Sequence, residues 1–157
     1  MTYQLIREQQ INSDIGSVWT FFSSPYNLSV ITPEFMNFQV LNNLADEPVY
    51  NGMIIDYTVS PMWGIPLRWK TKILGVNFQK SFTDIQLKGP YSLWKHRHEF
   101  IPNKNGVLVV DTINYELPFG AIGQLAHRVL VQKRLNEIFA YRYKKVEDLF
   151  NHTTDLP

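Results

Sequence analysis

His96 and His98 stand one residue apart in the run Trp94-Lys95-His96-Arg97-His98-Glu99-Phe100, where aromatic positions alternate with charged ones. A period of two marks a β-strand, so both imidazoles leave the same face, roughly 7 Å apart by the strand rise. Paired imidazoles on one face can bond a polar group, exchange a proton near neutral pH or hold a metal. The turn Pro102-Asn103-Lys104-Asn105-Gly106 fixes their surroundings. If the hairpin closes with Pro102 opposite Val107, His98 falls opposite Asp111 and Trp94 opposite Tyr115. A His98–Asp111 pair then serves a satisfied buried network, polar ligand recognition shared with His96 and Tyr115, or general acid–base catalysis by His98 and Asp111. A metal would need ligands from elsewhere, such as Asp111, Glu116 or His127; two imidazoles alone are insufficient, and the expectation is no metal.

Arg142 lies seven residues after Leu135 and four before Val146, on the apolar face of a long helical pattern. A guanidinium there can clamp a ligand carboxylate, pair with an internal Asp or Glu, or bury its stem and reach a cavity mouth. Tyr57, Trp69, Trp94 and Tyr115 share the inward parity of their strands and suit either core packing or the walls of a site for a flat ligand. The pattern over Ser81–Leu87 does not say which face is inward, so Asp84 and Gln86 are not assigned to the site.

These side chains need a sheet and a helix to hold them. Tyr3–Ile11 alternates as an opening strand whose polarity suits an edge. Asn12 or Ser13 then caps a short helix through Phe22, with Ile15, Val18, Trp19 and Phe22 on its apolar face. Ser24-Pro25 starts a second short helix that Pro33 ends. Consecutive strands follow, with Met53, Ile55, Tyr57 and Val59 on one face and Leu67, Trp69, Thr71 and Ile73 opposed to Arg68, Lys70 and Lys72. A helix from about Ala121 to Phe150 carries an apolar stripe through Ile122, Leu125, Val129, Leu135, Phe139 and Val146. The turn Met62-Trp63-Gly64-Ile65-Pro66 is expected to pack on a neighbouring loop. Residues 1–150 form one α+β domain, and 151–157 a frayed polar tail.

Composition narrows the partners. Of 157 residues, 45% are hydrophobic and 14% aromatic, with a formal charge of +1. That balance argues against nucleic acid and against a basic membrane anchor. The absence of cysteine removes thiol chemistry and disulfides. No apolar run reaches the roughly 18 residues of a membrane span, and no signal-peptide core opens the chain, so the expectation is a cytoplasmic protein without integral membrane association. A dinucleotide-binding glycine fingerprint is also missing, and no cofactor is expected.

The order of strand, two short helices, several strands and one long helix resembles the helix-grip fold of the START-like, or SRPBCC, superfamily. The run Gly89-Pro90-Tyr91-Ser92-Leu93-Trp94-Lys95-His96-Arg97-His98-Glu99-Phe100, with Asp111, Tyr115 and Pro118-Phe119-Gly120, is similar to a bacterial ligand-binding subgroup related to polyketide cyclases. The resemblance implies a curved antiparallel sheet gripping the C-terminal helix around a deep apolar pocket. A small hydrophobic or amphipathic ligand is expected in that pocket, and the placement of residues on the strands and the helix makes Tyr57, Trp69, Trp94, His96, His98, Asp111, Tyr115 and Arg142 its expected contacts. It leaves open a cyclase- or aromatase-like enzyme using the His–Asp pair, and a co-chaperone-like interaction module. The glycine-rich loop of the plant pollen-allergen branch has no counterpart in residues 45–52, so plant-hormone binding is not carried over.

Overall fold

A computed structural model describes residues 1–44 and 47–151, apart from the side chains of Gln124, Ala126, His127 and Arg128. Outside it lie residues 45 and 46 of the loop discussed above, the expected tail beyond Asn151, and the side chain of His127 considered as a metal ligand.

Seven strands form one antiparallel sheet: β1 (Tyr3–Ile11), β2 (Gln39–Val40), β3 (Ile54–Val59), β4 (Leu67–Asn77), β5 (Ser81–Lys88), β6 (Leu93–Asn103) and β7 (Gly106–Glu116). Their order in the sheet is β1-β7-β6-β5-β4-β3-β2, so every sequential pair after β2 is a hairpin and the chain closes by laying β1 against β7. The polar strand β1 does occupy an edge. The β6–β7 register is the one the turn dictates, with Pro102 opposite Val107, His98 opposite Asp111 and Trp94 opposite Tyr115. Gly106 makes that turn possible: its φ is +114°, and a Cβ there would collide with the Ile11 carbonyl. Strand β4 shifts register twice against β5, the second time around Gly75 at φ +61°, which bends the sheet.

Helices α1 (Ile15–Phe22) and α2 (Asn27–Val30) follow β1. The cap of α1 is Asp14 rather than Asn12 or Ser13, because its carboxylate reaches the Ser17 amide at 2.9 Å and its backbone is extended. A 3₁₀ turn at Glu34–Met36 leads into β2.

The C-terminal helix differs from the uninterrupted one expected. It runs as α3 (Gly120–Ala126), a π-helical turn (His127–Val131) and α4 (Gln132–Phe150). A π turn inserts about one residue, which rotates the helix face by roughly 100°. The expected stripe therefore splits. Val131, Leu135, Phe139 and Val146 are buried, while Ile122, Leu125 and Val129 are 75%, 65% and 61% exposed. The apolar side of α4 joins two clusters, one with Trp69, Trp94, Ile113 and Tyr115, the other with Ile11, Phe82 and Phe100. Asn151 is not frayed: its side chain accepts from the Asn12 amide and donates to the Gln10 carbonyl, tying the helix end to β1. The Met62–Pro66 turn does not pack away either, since Trp63 is 75% exposed with a φ of +52°.

Together these elements are a helix-grip fold, a curved antiparallel sheet wrapped around a long C-terminal helix with two short helices after the first strand. Among the described residues no helix is long and apolar enough to cross a membrane.

Candidate functional site

Between the sheet and α4 lies a cavity of about 190 Å³. Its apolar wall is contributed by Ile55 and Val59 of β3, Phe22 and Leu28 of the short helices, and Leu135 and Phe139 of α4. A volume of about 150 Å³ is enough to admit benzene, so a single ring fits here. Six residues expected from the sequence line it: Tyr57, Trp69, Trp94, His96, His98 and Arg142.

Two expected residues do not. Tyr115 is 3% exposed but packs behind the wall against Tyr3, Tyr91 and Trp94. Asp111 also sits behind it, adjoining a smaller hollow shared with Arg142 and β1. Asp84 and Tyr91, in contrast, are on the cavity wall. Asp84 faces inward because it is two residues from inward-facing Phe82 and opposite His96 in the β5–β6 register.

The polar cluster is a chain of contacts across three strands and the helix. His96 Nε2 bonds Asp111 Oδ1 at 3.0 Å, and His98 Nε2 bonds Asp84 Oδ2 at 3.1 Å. His98 Nδ1 lies 2.8 Å from Asp111 Oδ1, but out of line for a hydrogen bond. His96 Nδ1 lies 3.5 Å from Asp84 Oδ2. The hydrogen bond expected between His98 and its register partner Asp111 is thus made by the diagonal neighbour His96, the other contact allowed across an antiparallel pair. The imidazole centroids are 3.9 Å apart, so the rings lean together from their strand positions. Phe82 stacks on His98 at 4.4 Å, and Phe139 meets His96 edge-on at 5.8 Å.

Arg142 comes from α4 to place its guanidinium 3.3 Å from Asp111 Oδ2, and it passes over the rings of Phe22 and Phe139. Of the roles open to it, pairing with an internal carboxylate is realised, and its place on the cavity wall leaves it within reach of the enclosed volume. Burial would raise the Asp111 pKa, but Arg142, His96 and His98 outweigh it and hold the carboxyl well below its usual range. Burial and the neighbouring His98 lower the pKa of His96, against the pull of Asp111 and Asp84. For His98, burial is overcome by the two carboxylates and the pKa is raised. Burial, with the Asp84 charge adding to it, keeps the Tyr57 hydroxyl protonated; that hydroxyl is 3.3 Å from Thr71 Oγ1. Among the described residues no acceptor reaches the buried Nε1 of Trp69.

No family model matches the chain, and no curated protein matches it. Solved structures do match in fold. A Chromobacterium violaceum protein, CV1439, is 11% identical with a TM-score of 0.71, over 94% of this chain and 97% of its own. TTHA0849 from Thermus thermophilus is 18% identical with a TM-score of 0.63, over 94% and 95%. One crystal form of the ginseng major latex-like protein 151 from Panax ginseng is 16% identical with a TM-score of 0.64, over 100% and 99%. Agreement across whole chains at such low identity establishes the helix-grip architecture, and function must be argued from the site.

Proposed function

We propose that the protein binds a small hydrophobic or amphipathic molecule, of at least single-ring size, in the cavity between the sheet and α4. The observation that carries this reading is the apolar cavity of about 190 Å³ with Tyr57, His96, His98 and Arg142 on its wall. Apolar walls supply affinity, and a few placed polar groups set orientation. Here those groups are the Tyr57 hydroxyl, His96, His98 and Arg142.

The test uses 1-anilinonaphthalene-8-sulfonate, an amphipathic aromatic anion, with dye and tryptophan emission read together. The wild type should bind one equivalent saturably, and Val59→Phe, which fills the cavity, should lose that binding while keeping its circular dichroism. Equal binding by the folded Val59→Phe variant refutes the reading, as does failure of the wild type to bind both this dye and a single-ring probe such as phenol. Native mass spectrometry of protein from its own cell would then give the mass of a retained ligand.

A second reading, a cyclase- or aromatase-like enzyme, is favoured by one observation: His98 at the cavity wall contacts both Asp84 and Asp111. Such a position can take up and return a proton during ring closure. Turnover of an aromatic polyketide that is lost in His98→Ala, with dye binding retained, would support it; no turnover across a broad substrate screen would count against it.

A further inference from the structure

The polar cluster poses a problem of hydrogen count. Each of the four imidazole nitrogens of His96 and His98 lies within 3.5 Å of a carboxylate oxygen. Two neutral imidazoles bring only two hydrogens, and an ionised carboxylate only accepts. With both rings neutral, two nitrogen lone pairs face carboxylate oxygens. The contacts divide into two sets. His96 Nε2 and His98 Nδ1 both lie near Asp111 Oδ1, at 3.0 and 2.8 Å, the first in line for a hydrogen bond and the second not. His96 Nδ1 and His98 Nε2 both point to Asp84 Oδ2, at 3.5 and 3.1 Å, on the cavity side.

We propose that Asp84, His96 and His98 form a binding site for a first-row divalent transition cation such as zinc, ligated by His96 Nδ1, His98 Nε2 and an Asp84 oxygen. This arrangement leaves the two ligating nitrogens free of hydrogen. The remaining nitrogens carry the hydrogens: His96 Nε2 directs its own to Asp111 Oδ1, while His98 Nδ1 stands 2.8 Å from the same oxygen and needs a small ring rotation to align with it. Arg142 holds Asp111 from behind. A carboxylate behind a ligating histidine fixes its tautomer and raises its basicity.

Distances support the assignment. The candidate donor atoms of Asp84, His96 and His98 lie within 4.8 Å of one another. In a tetrahedral zinc site with bonds of about 2.0–2.1 Å, ligand atoms stand roughly 3.3 Å apart. The contacts of 3.1 and 3.5 Å from Asp84 to the two nitrogens bracket that edge. Two imidazoles and one carboxylate suit zinc, iron, cobalt or nickel over magnesium or calcium. Three protein ligands leave a position open, and because all three residues line the cavity it faces the enclosed volume. The inference stands apart from the ligand reading: the site either takes up metal in an empty cavity or it does not.

The experiment uses untagged, chelator-stripped protein labelled with ¹⁵N-histidine, titrated with zinc sulfate and followed by long-range ¹H–¹⁵N NMR. At one equivalent, the His96 Nδ1 and His98 Nε2 resonances should move to the metal-bound range. His96 Nε2 and His98 Nδ1 should stay protonated. Calorimetry should show Asp111→Asn weakening zinc by roughly 10–100-fold, with Asp84→Asn weakening it further. Absence of saturable binding, ring shifts confined to other histidines, or the opposite nitrogens metallated overturns the proposal. If a variant fails to fold, the wild-type nitrogen assignment decides alone.

Discussion

Replacing Arg142 with methionine tests the electrostatic logic of the buried cluster. Methionine keeps the stem that packs over Phe22 and Phe139 but removes the guanidinium 3.3 Å from Asp111 Oδ2. At an effective dielectric of about 20 and a charge separation near 4 Å, the lost attraction is roughly 4 kcal/mol. An upper bound follows from the alternative open to the protein: protonating Asp111 at pH 7, against an unfolded pKa near 3.9, costs about 1.36 × 3.1, or roughly 4 kcal/mol. Uptake of a proton by His98 offers partial relief, so the expected loss is about 3 kcal/mol, at the lower end for breaking a buried pair. In chelator-treated protein, urea unfolding followed by tryptophan emission should show a midpoint lower by about 1.5 M if m is near 2 kcal/mol/M. Asp111→Asn should remove much of the penalty for losing Arg142, giving a coupling energy of about 2 kcal/mol in the double-mutant cycle. A loss under about 1 kcal/mol for Arg142→Met, or additivity of the two substitutions, would refute the claim that Asp111 is a buried carboxylate held by Arg142.

Three further outcomes follow from the geometry. The folded Asp111 pKa lies well below its unfolded value, so its contribution to stability is complete above the unfolded value and is lost as pH falls through the folded one. Metal-free Asp111→Asn should therefore show a flatter stability profile than wild type in acid unfolding; parallel profiles would contradict the shift. Gly106→Ala must place a Cβ against the Ile11 carbonyl at φ +114°, and calorimetry should show a loss of about 2–3 kcal/mol or no folded protein, an unchanged melting temperature being the contrary result. Trp63 is exposed in a left-handed conformation, so Trp63→Gly should leave stability unchanged or raise it by up to about 1 kcal/mol, whereas a comparable loss would mean that the indole is packed.

How much of the site could be read in advance depended on which strands carried clean alternation. In β6 the buried Trp94, His96, His98 and Phe100 alternate with exposed Lys95 and Arg97, and the short turn to β7 leaves one closing register, so the opposition of His98 and Asp111 was legible. Strand β5 hides its parity because Ser81, Phe82 and Thr83 are all buried in succession. Phe82 shares the face of Asp84, since residues two apart share a face, but Ile85 and Leu87 stand on the opposite one, so apolar content alone favours neither. The helix was legible in α4 and misleading in α3. Apolar spacing continues through the π turn, and nothing in that spacing announces an inserted residue.

The same strand geometry explains why the missed residue matters. Asp84 stands opposite His96, and His98 opposite Asp111, so carboxylate and imidazole alternate across β5, β6 and β7. With Asp111 alone, both rings share one acceptor and the cluster is a structural network behind a cavity wall. With Asp84 added, each ring lies between two carboxylates, one backed by Arg142 and one on the cavity side. That asymmetry separates a group that fixes ring orientation from a group that can share a cation or a proton with whatever enters. It also sets apart the effects expected of the two carboxylates: loss of Asp111 should disturb stability and ring orientation together, while loss of Asp84 should fall chiefly on what the cavity holds.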